Sequence, residues 1–214
     1  MYNGVAMTRL RSFVIVVGVV TILSYARLFG VSVRPVNLEE MVVKANRVFQ
    51  GTCEKSEHKY LASTRVPVIE YTFLVDSAIK GVAPGERVIF RQVHWQDARR
   101  SGSPDVPEYQ VGQQVLLFLK KDSEAGLTSP VGLRQGAFLV EGKGASAVVM
   151  NLDGNRNLTV GMSQARATAN GLTPEEYRIL GGAGKIRLES FRSMIVRMER
   201  ARSSGADKKY NSAE

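Results

Sequence analysis

Cysteine and histidine are nearly missing from this chain. A single cysteine in 214 residues excludes an internal disulfide framework and any cysteine-rich zinc module. Two histidines leave little material for a histidine-based metal site or a catalytic triad. The one long apolar run, Phe13–Ala26, is 14 residues, short of the roughly 20 that a bilayer core requires. No internal repeat is present. What remains is ordinary: 44% apolar and 23% charged residues is the composition of a globular domain, which excludes collagen-like chains, multi-span membrane proteins and wholesale disorder. The length suits one domain with an appendage and is enough to bury a core without staples.

The N-terminus reads as an export signal. Arg9 and Arg11 precede the apolar run, and Ser24-Tyr25-Ala26 places small residues three and one positions before a cut; Gly30-Val31-Ser32 offers a second cut. Residues 1–26 are therefore a signal peptide or an uncleaved signal anchor, and residues 27–37 a linker. The body is expected outside the cytoplasm, periplasmic or extracellular, free or held at the inner membrane by residues 13–26. The net charge of +9 is thin over most of the chain. Residues 27–160 hold 17 basic and 14 acidic residues, and residues 161–214 hold 10 and 6. A dedicated nucleic-acid binder concentrates its cations on one face, so nucleic acid is an improbable partner.

Asn37-Leu38-Glu39-Glu40 opens a short helix, with Asn37 as cap and Glu40 at the reciprocal capping-box position, ending near Asn46. The period then changes. Phe49, Gly51 and Cys53 alternate with polar residues; after a polar loop, Ile69, Tyr71, Phe73 and Val75 do the same. Val88–Phe90 begins a third strand. Residues 95–109 form a long irregular loop with two prolines. Val115–Leu119 is apolar on both faces, which predicts cover on both sides. Ala137–Val140 and Ala147–Met150 are two further strands, and Leu158–Val160 a last short one. Thr173-Pro174-Glu175-Glu176 starts a helix, Gly181–Gly184 ends it, and residues 189–202 form another whose stripe is Leu188, Phe191, Ile195 and Met198. Strands flanked by helices rather than alternating with them predict a mainly β chain: a small OB-like β-barrel over 38–160, C-terminal α-helices over 161–202 and a disordered tail over 203–214.

The order of glycines and strands carries a resemblance. A strand with Gly51, an alternating strand ending Ile79-Lys80-Gly81, a Pro84-Gly85 turn, Val111-Gly112 before Leu116-Leu117-Phe118-Leu119, then Gly132, Gly136 and Phe138, resembles a group of uncharacterised exported bacterial proteins over roughly residues 38–141. Their pattern is similar to the netrin-like module, the OB-type barrel of tissue inhibitors of metalloproteinases. Those inhibitors clamp a protease zinc with a mature N-terminal cysteine. Cleavage here leaves Arg27 or Val33 first, and Cys53 is internal, so that mechanism does not carry over. OB barrels otherwise host protein, oligosaccharide and oligonucleotide ligands.

Cys53 shares parity with Phe49 and Gly51 and is expected inside, as a small apolar residue. His58 lies at odd spacing from Cys53, which puts it on the opposite strand face with Glu54, as a solvated loop residue. His94-Trp95-Gln96-Asp97 with Arg99 and Arg100 is the densest polar-aromatic cluster, composed like a binding hot spot; alternatively, Trp95 caps the barrel. His94, Asp97 and Ser101 lack the geometry of a triad. Gly181–Lys185 lacks the Ser/Thr and preceding strand of a phosphate loop. The basic helix over Lys185–Arg202 either packs its stripe on the domain or lies on an anionic membrane. The expectation is a non-enzymatic exported binding module for a protein partner, such as an exported protease or an envelope component. Trp95, Arg99 and Arg100 form its binding residues, and no catalytic residue, cofactor or metal is assigned. The alternative is an OB-type binder of polyanionic glycan or single-stranded nucleic acid.

Overall fold

A computed structural model describes residues 34–62, 64–94 and 106–211, with side chains as far as Ser204. Its elements are α1 (Leu38–Lys44), β1 (Arg47–Tyr60), β2 (Pro67–Lys80), β3 (Arg87–Val93), β4 (Gln114–Leu119), β5 (Ala137–Glu141), β6 (Val148–Asn151), α2 (Gln164–Ala169), α3 (Pro174–Gly181), β7 (Ile186–Arg187) and α4 (Leu188–Asn211). The strands form one antiparallel sheet in the order β3-β2-β1-β4-β5-β6-β7. The architecture is a mixed α and β fold, with α1 and α4 packed on the sheet.

The expectation of a mainly β chain with a small OB-like β-barrel is corrected on this point: the sheet does not close into a barrel. Instead of returning to β3, the chain continues past β4 into β5, β6 and β7. A single parallel bridge, Arg91 to Leu127, joins β3 to the segment after β4, and the Thr128 N–H donates to the Arg91 carbonyl at 3.0 Å. The reason lies in where the apolar residues go. Phe49, Tyr71, Phe73, Val88, Phe90, Val115 and Leu117 fill the inside of the curl made by β1–β4. Leu116, Phe118, Phe138, Val149 and Ile186 turn to the other face, where α1 and α4 bury them. Helices need an open layer to lie on, and the second half of the sheet supplies it.

β4 is covered on both sides as its composition requires, with Val115–Leu119 all buried. Cys53 is buried on the inner face with Phe49. The stripe of Leu188, Phe191, Ile195 and Met198 is buried against the sheet rather than presented to a membrane. Asn37 caps α1, its Oδ1 accepting the Glu40 N–H at 2.9 Å. The reciprocal half of that box does not form, because the Glu40 carboxylate pairs with Arg34 and Lys44. The box at α3 forms fully between Thr173 and Glu176.

Three spans differ from expectation. The polar loop before Ile69 is strand: β1 runs to Tyr60 and β2 starts at Pro67, making a hairpin whose largely exposed residues need no core. Leu158–Val160 is not a strand but a turn, in which the Leu158 side chain is buried and its carbonyl accepts the Leu38 N–H at 3.0 Å. The last helix continues nine residues beyond Arg202, to Asn211, with no proline to stop it.

Two glycines of the resemblance have a steric basis. A Cβ at Gly51 would lie 2.6 Å from the Leu74 carbonyl oxygen, and one at Gly136 would lie 2.4 Å from that of Val131. Gly51→Ala is expected to cost about 1–3 kcal/mol through this overpacking, read as a lowered urea midpoint. Gly181→Ala is the control. Its Cβ meets nothing closer than 3.6 Å at the end of α3, and the variant should be neutral or slightly stabilised.

Candidate functional site

The hairpin end of the sheet gathers most of the unusual chemistry. A β-bulge between Cys53 and Lys55 shifts the register of β1 against β2. An extra residue reverses the parity of every residue beyond it. Ser56 then stands opposite Tyr71 and His58 opposite Ile69, both inner-face residues. The prediction that His58 and Cys53 lie on opposite faces is therefore overturned, and so is the pairing of His58 with Glu54. Glu54 instead holds Arg87 at 2.8 Å on the outer face.

The two histidines, distant in sequence, meet here. Their rings are 4.7 Å apart and nearly perpendicular. His94 Nδ1 faces the Glu108 carboxylate at 3.8 Å, beyond hydrogen-bond range. Behind them the curl is aromatic, with Tyr71 and Tyr109 rings 5.0 Å apart edge-to-face and Phe73 stacked on Phe90 at 5.7 Å. Burial pushes the Tyr71 phenol up to about 12 and raises Tyr109 and the Cys53 thiol as well, so all three are neutral at physiological pH. The Tyr109 N–H donates to the Tyr71 hydroxyl at 3.4 Å. Gln92, only 3% exposed, faces the Tyr109 hydroxyl outside hydrogen-bond geometry, and neither group has another partner among the described residues.

The outer side of the same end is charged. Glu70 accepts from Lys59 and, at 2.6 Å, from Arg91. These contacts, led by the Lys59 hydrogen bond, hold its carboxyl below the usual range against the opposing effect of burial. Tyr60, paired with Pro67 across the hairpin, is 68% exposed, and the His94 N–H donates to the Pro67 carbonyl at 2.9 Å. That bond ties His94, which precedes residues 95–105 in the sequence, to the hairpin.

Trp95, Arg99 and Arg100 lie in that segment, outside the described residues, as do Asp97 and Ser101; residues 1–26, expected to be an export signal, are likewise outside the described residues. Gly181–Lys185 ends α3 and leads into β7, with Lys185 paired to Glu141. Other cations of the basic helix are similarly engaged. Arg192 pairs with Glu189, Arg197 with Glu176 and Arg202 with Glu199, while Arg187 donates to the Ala145 carbonyl. Among the described residues no group of three or more His, Cys, Asp or Glu side chains is placed to hold a metal ion. No family model, curated protein or solved structure matches the chain.

Sequence reasoning missed the approach of His58 to His94, because one bulge residue decides the face that His58 takes. Glu70 provides a check on this end. Its depressed carboxyl contributes stability that is present above its ordinary value of 4.5 and is lost as pH falls through the folded value. Glu70→Gln should lower stability at pH 7 by roughly 1–2 kcal/mol, since Lys59 and Arg91 lose a charged acceptor. Urea midpoints between pH 7 and 3 should then fall less steeply for the variant than for the parent.

Proposed function

We propose that the chain is a non-enzymatic exported binding module for a protein partner, an exported protease or an envelope component, engaged at the hairpin end of the sheet. One observation carries the reading. Exposed Tyr60 pairs with Pro67 at the end of the hairpin ladder, and the Pro67 carbonyl also accepts the N–H of His94, the residue that precedes Trp95, Arg99 and Arg100 in the sequence. Tyrosine, tryptophan and arginine are the residues most enriched at interface hot spots. Among the described residues no strand pairs with β1 on the β4 side beyond Thr52, and Lys55, Glu57 and Lys59 there have the composition that resists further strand pairing, which favours side-chain recognition over strand addition.

Export rests on Arg9, Arg11 and the run 13–26; among the described residues no helix is long and apolar enough to cross a membrane. A netrin-like, OB-type relationship belongs to the same proposal. The curl of β1–β4 and the bridge from Arg91 to Leu127 support it, an OB barrel being itself partly open. A polyanionic glycan or single-stranded nucleic acid is the competing ligand. The ion pairing of the α4 arginines, and of Arg87 and Arg91 with Glu54 and Glu70, leaves fewer cations for it.

Retrieval of partners from envelope extract at low and moderate salt tests the reading. A protein partner held by apolar anchors should persist, whereas a polyanion should be lost steeply as salt rises. Tyr60→Ala and Trp95→Ala should each weaken the persistent complex by about 2 kcal/mol, roughly thirty-fold. Tyr60→Ala should leave the melting temperature unchanged, because its side chain is exposed. Unchanged binding in both variants would overturn the site.

A further inference from the structure

The geometry points to a second binding site, at the opposite part of the sheet, for the free C-terminus of an extended peptide that ends in an apolar residue. It is the cleft of about 620 Å³ between the β5–β6 ladder and the 151–157 turn. It is independent of the reading of the hairpin end.

The cleft follows from the two-core arrangement. Phe138 and Val149 turn toward the helices, so their neighbours Leu139 and Met150, directly paired across β5 and β6, turn to the other face of the sheet, where Leu139 packs on the margin of the core inside the curl and both remain only partly buried. These two side chains form an apolar floor, and Leu152, 47% exposed, extends it.

The turn beside this floor is built more rigidly than a surface turn requires. Asn155 is completely buried in a left-handed conformation, φ +62°. Its Oδ1 accepts the Asn151 N–H at 2.9 Å, and its Nδ2 donates to the Val149 and Gly184 carbonyls at 3.2 and 2.8 Å. Asn151 Oδ1 accepts the N–H groups of Asp153 and Asn155, and its Nδ2 donates to the Gln135 carbonyl at 2.9 Å. Fixed backbone of this kind holds the outward residues of a site in place before a ligand arrives.

Charge selects the ligand. Arg134 is bound to Asp153 at 2.7 Å, and Glu141 to Lys185. Arg156 has no carboxylate within 4 Å among the described residues, and so brings one uncompensated cation to the rim. A carboxylate is the complement of a guanidinium fork. The floor is only three side chains wide and its rim is polar, so it suits one apolar side chain flanked by peptide groups. A long acyl tail would lie across charged side chains.

The test uses the protein purified from its producing cells, with methionine methyl NMR, the Met150 signal assigned through Met150→Leu. N-acetyl-Val-Leu with a free carboxylate should shift the Met150 methyl saturably, at least about tenfold more tightly than the same dipeptide as its carboxamide. Arg156→Gln should remove that preference, and as an exposed substitution it should leave the melting temperature unchanged. An unmoved Met150 signal at millimolar dipeptide, equal affinity for the carboxamide, or tighter binding of octanoate than of the dipeptide would each overturn the assignment.

Discussion

Two-sided burial of β4 is the constraint on which the molecule depends. Its residues Val115–Leu119 are all buried, and they alternate between two cores that share no side chain. Val115, Leu117 and Leu119 close the inside of the curl, while Leu116 and Phe118 form the floor beneath the helices. Because β1 pairs with β4 in unbroken register from Arg47 to Thr52, the same division passes to β1 without ambiguity: Val48 goes to the helices and Phe49 to the curl. A one-residue slip at this ladder would exchange the two cores completely, which is why register here is specified from both sides at once.

Beyond Cys53 that discipline ends. β1 loses β4 as a neighbour and retains only β2, and the bulge then reverses its faces. The strand that began by separating two cores finishes as one arm of a projecting hairpin, with histidine, tyrosine and charge in place of the valine and phenylalanine of its first half. The transition from packed ladder to exposed arm occurs within one bulge, and the aromatic cluster of Tyr71, Phe73, Phe90 and Tyr109 anchors its base.

What could be read beforehand follows the same division. Alternation located the paired halves of β1 and β2 and the inward Cys53, because burial of one face forces period two on a sequence, and an unbroken apolar run marked the doubly covered β4. The caps at Asn37 and Thr173 were legible because they are local chemistry. The meeting of His58 with His94 was not, since Lys55–Tyr60 are polar on both faces and carry no period from which to count a bulge. Leu158 misled for the opposite reason. An apolar triplet signals burial, and Leu158 is buried, but in a turn under α1 whose backbone hydrogen bond goes to Leu38 rather than to a ladder. The open sheet was equally hidden: Phe138 and Val149 show that two strands bury something, without showing that helices cover it.

The two parts of the sheet treat buried polar groups in contrasting ways. Under the 151–157 turn, the side-chain amides of Asn151 and Asn155 are partnered at both ends. At the hairpin end, the Gln92 amide and the Tyr109 hydroxyl are buried without such partners among the described residues. A buried polar group left in that state costs about 1–3 kcal/mol, and an apolar residue of similar shape would remove the cost. Leucine or methionine at position 92 would satisfy the inward-facing slot beside Phe90 as well as any residue of the curl does. Among the described residues the base of the projecting arm thus keeps an amide facing a phenol, with a half-buried imidazole two residues further along the chain, beside the surface proposed for binding. Local rules are broken in this way chiefly where a protein works. That cost supports placing the partner at the hairpin end, on grounds separate from the exposed tyrosine.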